Sequence, residues 1–488
     1  MTSFLLHPAS LLWILHWSLV LGLSVRVIMK RPSTGVAMAW ILLIALAPFF
    51  GALVYLLIGE RRIGFQRTRR LRFLRGEYRE LAADAMQSGT RGIAWEQLPA
   101  CAAGMDHLGD RLANCPSTRG SQLQLFSETE AMLKAIANDI DAAEKSVLME
   151  FYIWQAGGVA DEVLEAVIRA SKRGVFCCVL IDALGARPWW KSYQPRRLRE
   201  AGVHLKEALP VGIVRTFVGR TDLRLHRKIV VVDGRTAWTG SMNLVDPRYF
   251  KQDSGVGQWV DAMVRVEGCA VANLAATMLG DWILESGQSV EALIEQAKLE
   301  AVAPTGDTVM QVLPSGPGEF GDTLLQMVLA TINSAQATLT MTTPYLVPDE
   351  SLLRAIRGAA SRGVKVQLIV PEKVDSLLTR YASRSYFVDL LECGVEVYLY
   401  RRGLLHTKSI VADQSVAMFG TVNLDMRSLW LNYELALFVY DASFATQLFE
   451  LQQTYVANSD RLDPDTWSQR SVKERFLENT FRLASPLL

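Results

Sequence analysis

HRKIVVVDGRTAWTGSMN, residues 226–243, and HTKSIVADQSVAMFGTVN, residues 406–423, are two copies of one pattern. His226, Lys228, Asp233, Gly240, Ser241 and Asn243 are spaced as His406, Lys408, Asp413, Gly420, Thr421 and Asn423. At about one chance in twenty per fixed position, such a match has odds on the order of 10⁻⁵ in a chain this long. The pattern is therefore a duplicated half of one site. Each copy reads as strand–turn–strand. Ile229 to Val232, and Ile410 with Val411, anchor the first strand in a core, and His-x-Lys sets both side chains on one face. Gly240 and Gly420 permit close backbone bends.

The surroundings repeat too. In the first half, a helical Glu130–Ala143 leads into a strand over Ser146–Trp154. A helix over Asp161–Lys172 stops at Arg173-Gly174 and is followed by strand Val175–Ile181. In the second half, Leu324–Ala335, Ala337–Tyr345, Ser351–Ser361 with its stop at Arg362-Gly363, and Val364–Val370 repeat that order. "REAGVHL" near residue 200 answers "LECGVEV" near 393. A unit of about 180 residues is a duplicated domain, and helix–strand alternation predicts α/β lobes, each a sheet covered by helices. The boundaries fall at 1–60, 61–118 (a basic juxtamembrane connector), 119–300 and 301–488, with a linker around Glu300 to Asp307.

Half of the 488 residues are hydrophobic while net charge is only +1, so a membrane contribution is expected and a global field for nucleic acid is not. Leu11 to Met29 is apolar apart from His16, Ser18, Ser24 and Arg26. Ala37 to Ile58 is uncharged and, as a helix, about 33 Å long. Lys30-Arg31-Pro32 turns the two into a transmembrane hairpin, in which Pro48 is tolerable. A cleaved signal is disfavoured, since no charged region precedes the first span. Arg61, Arg62, Arg67, Arg69, Arg70, Arg72 and Arg75 then place the rest of the chain in the cytoplasm. The same run reads as a solvated helix or as a site of attraction to anionic lipid. Six cysteines in no scaffold spacing fit a reducing compartment. Val472 to Leu488, apolar residues among charges, is either a membrane-surface segment or a helix packed on the second lobe.

The chemistry follows from the residue types. Lysine beside histidine repels cations, so no metal is expected, and no nucleotide or metal motif occurs. Two lysines and the amides of Asn243 and Asn423, with the hydroxyls of Ser241 and Thr421, suit a phosphodiester anion. One neutral histidine attacks phosphorus and the other, protonated, serves the leaving alkoxide. The two imidazoles then need opposite protonation states. Asp233 and Asp413 turn away into turns or ion pairs. Asp261 and Glu434 stand in comparable places downstream and are expected to orient the histidines through their second nitrogens. Exchange of one diester for another needs no cofactor.

These residues resemble the double HKD signature of the phospholipase D superfamily. "TGSMNLVDPRYFKQDSGVGQWVD", "TTPYLVPD", "GLLHTKS", "GTVNLDMRSLWLNYE" and the hairpin "AWILLIALAPFFGALVYLLIGERR" resemble its bacterial cardiolipin synthase group over nearly the whole chain. The resemblance implies a phospholipase D-like fold whose two lobes share one pseudo-symmetric site. It implies phosphatidyl transfer between two phosphatidylglycerol molecules in the bacterial inner membrane, with His226, Lys228, Asp233, His406, Lys408 and Asp413 as the catalytic set. By analogy His226 is the nucleophile and His406 the acid/base. Leu225 and Val260 depart from the superfamily pattern and carry no role. A hydrolytic phospholipase, a nuclease and a lipid-binding scaffold with a dead site are the alternatives. The hairpin and near-neutral charge disfavour the nuclease, the intact motifs the scaffold. An oligomer is compatible with the sequence. Trp189, Trp190 and Lys191, with Arg187, read either as a headgroup-level cluster or as a packed loop. Gly316-Pro317-Gly318 and Tyr345 are candidates to line the site.

Overall fold

The computed structural model describes residues 8–32, 34–59, 92–210, 222–300, 302–317, 321–483 and 485. The arginine run of 61–75, most of the 61–118 connector, and Gly318 lie outside these residues. Two units are distinguished, an N-terminal helical unit and a large α/β body.

In the N-terminal unit, helix Pro8–Lys30 packs on helix Thr34–Leu46 through Val20, Val27, Ile44 and Tyr55. Leu11–Lys30 is long and apolar enough to cross a membrane. The second apolar run differs from the expected single span. The helix stops at Leu46 and a new one, Pro48–Val54, begins at the proline, with Ala47 at φ −137°, ψ 71° between them. A residue before proline is driven out of the helical region, while proline itself is preorganised for a first helical turn, so the break falls at Ala47.

In the α/β body the duplication is visible strand by strand. β1 (Thr118–Phe126), β2 (Ser146–Phe151), β3 (Phe176–Asp182), β4 (His204–Ala208), β5 (Ile229–Val232), β6 (Thr236–Gly240) and β8 (Met263–Gly268) form the first half of one sheet, in the order 1-8-6-5-2-3-4. β9 (Thr308–Ser315), β10 (Thr338–Thr342), β12 (Lys365–Pro371), β13 (Glu396–Tyr400), β15 (Ser409–Ala412), β16 (Val416–Gly420) and β18 (Glu434–Val439) repeat it, in the order 9-18-16-15-10-12-13. The halves are joined edge to edge, because β1 pairs antiparallel with β9 as well as with β8. A short strand, Ser459–Arg461, adds a fifteenth member beyond β13, and the two-residue strands β7 (Trp259–Val260), β11 (Leu346–Val347), β14 (Leu404–Leu405) and β17 (Leu424–Asp425) pair outside this sheet, β7 with β14 and β11 with β17.

Helices form where the apolar period is 3.6. Glu350–Ser361 buries Leu352, Leu353, Ile356 and Ala359 along one side and is started by Asp349, whose carboxylate accepts from Leu352 N–H. Its relative Ala160–Lys172 buries Val163, Leu164, Val167 and Ile168. The helix Ala102–Ala113, expected within the connector, packs with the second lobe: Ala102, Met105 and Ala113 share a core with Leu324, Val328 and Leu339. Trp189 is buried and stacks at 4.8 Å on Trp154, with its Nε1 donating to Gln194. That assigns it to the first lobe's core. Its neighbour Trp190 donates to the Asp182 carbonyl.

Gly240 and Gly420 are required by close approach. A Cβ at Gly240 would lie 2.4 Å from Ala262 O, and one at Gly420 would lie 2.3 Å from Leu435 O. Each glycine lets its strand end come against the backbone next to an acid, Asp261 beside Ala262 or Glu434 beside Leu435. Gly420→Ala is expected to lower stability by about 1–3 kcal/mol, since backbone must move to admit the methyl. Chemical denaturation of the isolated variant measures this.

Candidate active site

The His-x-Lys segments are extended run-ins to their strands. β5 begins at Ile229 and β15 at Ser409, one residue after each lysine. The run-ins cross between lobes. Leu404–Leu405 pairs in parallel with Trp259–Val260, and His406 N–H donates to Val260 O at 2.8 Å. In the other direction Leu225 bridges Tyr433, and His226 N–H donates to Tyr433 O at 2.9 Å. Arg227 reinforces this second crossing. It is buried, donates to the carbonyls of Glu434 and Ser315, and pairs with Asp281.

The acids are exchanged as a result. His226 Nδ1 lies 2.9 Å from Oε2 of Glu434, and His406 Nδ1 lies 2.7 Å from Oδ1 of Asp261. Each histidine is thus oriented by the carboxylate of the opposite lobe. Asp261 also accepts from Ser241 Oγ at 2.6 Å; Glu434 accepts from Thr421 Oγ1 and from Asn432 Nδ2. Ser241 and Thr421, expected on the substrate, therefore give their hydroxyl protons to the acids and fix them. With Nδ1 committed to a carboxylate, the atom left for chemistry on each ring is Nε2.

The lysines fold back on the same segments. Lys228 Nζ donates to His226 O at 2.6 Å and Lys408 Nζ to His406 O at 2.5 Å. Burial pushes these lysines down to about 8 and about 7 respectively. Burial also drives both imidazoles down to about 4, against the pull of the paired carboxylates. Burial raises Glu434 and Asp261, but the histidine and lysine beside each outweigh it and hold both below the usual carboxylate range. Burial therefore works against the charged form of both histidines, and the paired carboxylates work for it. An incoming diester adds one negative charge and favours uptake of one proton.

Asp233 and Asp413 sit apart from the acids. Asp233, at φ 53°, accepts the N–H groups of Glu144, Lys145 and Ser146. Asp413, at φ 50°, accepts those of Gln336, Ala337 and Thr338. Each pins the hairpin after the lysine to the start of the neighbouring strand, in keeping with the expectation that these acids turn away into turns. Asn243 is buried, and its Oδ1 accepts from Ile153 N–H at 3.1 Å, which leaves its amide donor end for a ligand. Asn423 is buried at the matching position.

Several neighbours escaped the sequence reading. Tyr152 lies edge-on to His226 at 5.1 Å, and Trp259 lies 4.3 Å from His406. Asp375 escaped it too: it pairs with Lys251 at 2.9 Å and accepts from the OH of Tyr345, the residue named above as a candidate to line the site. Asp182 is buried and accepts from Leu225 N–H, and burial raises it to about 6. The aromatics carried no spacing signal. Asp182 ends a strand, where an acid in an apolar run was a visible anomaly.

The family model described as "Cardiolipin synthase, PLD-like domain" matches residues 136–263 and 328–453, and "Phospholipase_D-nuclease N-terminal" matches residues 18–60. Cardiolipin synthase A of Edwardsiella ictaluri is 42% identical over 97% of both chains. That of Serratia proteamaculans is 41% identical over 100% of both. Among solved structures, phosphatidylserine synthase of Haemophilus influenzae superposes with a TM-score of 0.61 at 16% identity. That match covers 79% of this chain and all of the other, a likeness of fold.

The two kinds of acid are separable by experiment. Asp413→Ala removes three caps and is expected to cost about 2–3 kcal/mol of stability, leaving turnover within a few-fold at low temperature. Glu434→Gln is expected to slow turnover by about 10²–10⁴-fold with far less change in melting temperature. Melting curves and initial rates on both variants provide the check.

Proposed function

The chain belongs to the cardiolipin synthase family of phospholipase D-like proteins, and we propose that its crossed histidine pairs carry out the phosphatidyl transfer of that family through a phosphohistidine. The protein is a phosphatidyltransferase that makes cardiolipin. The observation that carries the mechanistic reading is the symmetric commitment of both Nδ1 atoms to buried carboxylates, which leaves two Nε2 atoms for one phosphorus.

In the proposed sequence the phosphodiester of one phosphatidylglycerol binds against Lys228, Lys408 and the amides of Asn243 and Asn423. Nε2 of His226 attacks phosphorus, and the bond to the headgroup glycerol breaks. The departing alkoxide takes a proton from His406, and glycerol leaves. The primary hydroxyl of a second phosphatidylglycerol then gives its proton to His406 and attacks the phosphohistidine. The N–P bond breaks, cardiolipin forms, and His226 returns to its free state. One diester bond is broken for each one made, so no external energy source enters. The proton that His406 needs is the one favoured by the arriving diester charge.

The membrane setting is consistent with this substrate. The family and the apolar helix Leu11–Lys30 place the protein in association with a membrane. We read the arrangement as multi-pass in the bacterial inner membrane, with the α/β body cytoplasmic and its duplicated halves at 119–300 and 301–488.

His226→Ala and His406→Ala are each expected to lose at least about 10³-fold in cardiolipin formation from labelled phosphatidylglycerol. Acid-quenched wild-type enzyme should carry label on His226. Label on His406 reverses the roles, and phosphatidic acid as the main product makes the enzyme a hydrolase. Because burial lowers the two lysines to about 8 and about 7, their positive charge is lost as pH rises through that window. The ratio kcat/KM for a monodisperse short-chain phosphatidylglycerol is therefore expected to fall from pH 7 to 9. An unmodified exposed lysine pair would hold it level until about pH 10.

A further inference from the structure

The C-terminal helix Val472–Arg482 is turned inside out. At 100° per residue Val472, Phe476 and Leu483, the residue that ends it, share one stripe. They are 80%, 71% and 83% exposed. The opposite side carries Glu478, 2% exposed, which pairs with Arg384 at 2.9 Å and with Arg470. Phe481 stacks on Tyr381 at 5.3 Å, and Arg482 pairs with Asp389 at 2.8 Å. Ser471 and Glu474 close a capping box at the start, which occupies the Glu474 carboxylate. A helix on a water-facing surface turns its apolar stripe inward. This one cannot roll inward without stripping a buried carboxylate of its two guanidinium partners. The helix does pack on the second lobe, yet it offers its apolar side outward.

The helix against which it packs, Leu377–Leu391, brings further exposed apolar residues. Leu377 and Leu378, 67% and 46% exposed, begin the helix Leu377–Leu391, one turn before Tyr381. Asp375, two residues earlier, holds Tyr345 and Lys251 and acts on His406 electrostatically. Exposed Lys473 and Arg475 flank the stripe. Apolar residues edged by cations match an anionic lipid surface, in which the apolar side chains enter the acyl boundary and the cations meet headgroups.

We propose that Val472, Phe476 and Leu483, with Leu377 and Leu378, form a face by which the α/β body docks on an anionic phospholipid bilayer beside the entrance to its site. This rests on the reading that the substrate is a membrane phospholipid. It gives that substrate a short path from the bilayer to the histidines.

The test uses the full chain in phosphatidylglycerol-containing vesicles at fewer than one chain per vesicle, with a fluorescent amino acid replacing Phe476. Quenching by lipids spin-labelled on their acyl chains, with protection from aqueous iodide, is the expected result. Quenching by iodide alone overturns the proposal. So does shielding that appears only at many chains per vesicle, because a second copy then covers the stripe. In parallel, the Val472→Ser/Phe476→Ser/Leu483→Ser variant is expected to lose about tenfold in rate on vesicle phosphatidylglycerol. It should stay within about twofold of wild type on the monodisperse short-chain lipid. Equal loss on both substrates, or no loss on vesicles, overturns the proposal. A wild type that makes no cardiolipin on either substrate refutes the functional reading instead, and the quenching result stands apart from that.

Discussion

Each histidine of the site is completed by a carboxylate from the other half of the chain. The rest of the body can be read as the means of holding that exchange. Two buried acids cannot remain ionised without strong partners, and each here has an imidazole N–H and a hydroxyl, Ser241 or Thr421, on it. For the exchange to occur, the run-in to each histidine must lie beside the strand before the opposite acid. The parallel pairing of Leu404–Leu405 with Trp259–Val260, and of Leu225 with Tyr433, supplies this. The single sheet that passes through β1 and β9 fixes the two halves relative to one another. Gly240 and Gly420 then remove the one atom that would keep the acid-bearing strands at a distance.

The electrostatics depend on the same closure. Enclosing the pairs takes water from two lysines and two histidines at once, and burial lowers all four. Acids and bases alternate in the pairs, which lets so many charged groups share a buried space. An anionic substrate disturbs that balance by one charge, and the proton that restores it is one the chemistry requires. In the proposed reaction, recognition of the diester and arming of the acid are then a single event.

Much of this was legible in the residues. The matched spacing around His226 and His406 announced one composite site, and the repeated helix–strand order with its Arg-Gly stops announced two similar halves. Asp261 and Glu434 were visible as acids at comparable distances downstream. Their exchange between halves was not, because spacing along a chain says nothing about which of two equivalent partners is met in space. The hydroxyls of Ser241 and Thr421 misled for a related reason. They neighbour the histidines in the motif, but their closest acceptors are the acids. Asp233 and Asp413 carry the motif's name and yet serve the turns, as their position ahead of a second strand suggested. The second apolar run read as one helix because hydropathy outweighed Pro48, whereas the backbone clash with the preceding residue decides the geometry.

The exchange of acids also ties completion of the site to synthesis of both halves. A nascent chain that has emerged only as far as the end of the first half holds His226 without Glu434, and Asp261 without His406. Its histidine then lacks the carboxylate that Glu434 supplies to Nδ1. The crossed set of oriented histidines within one chain therefore exists only once both halves have been made.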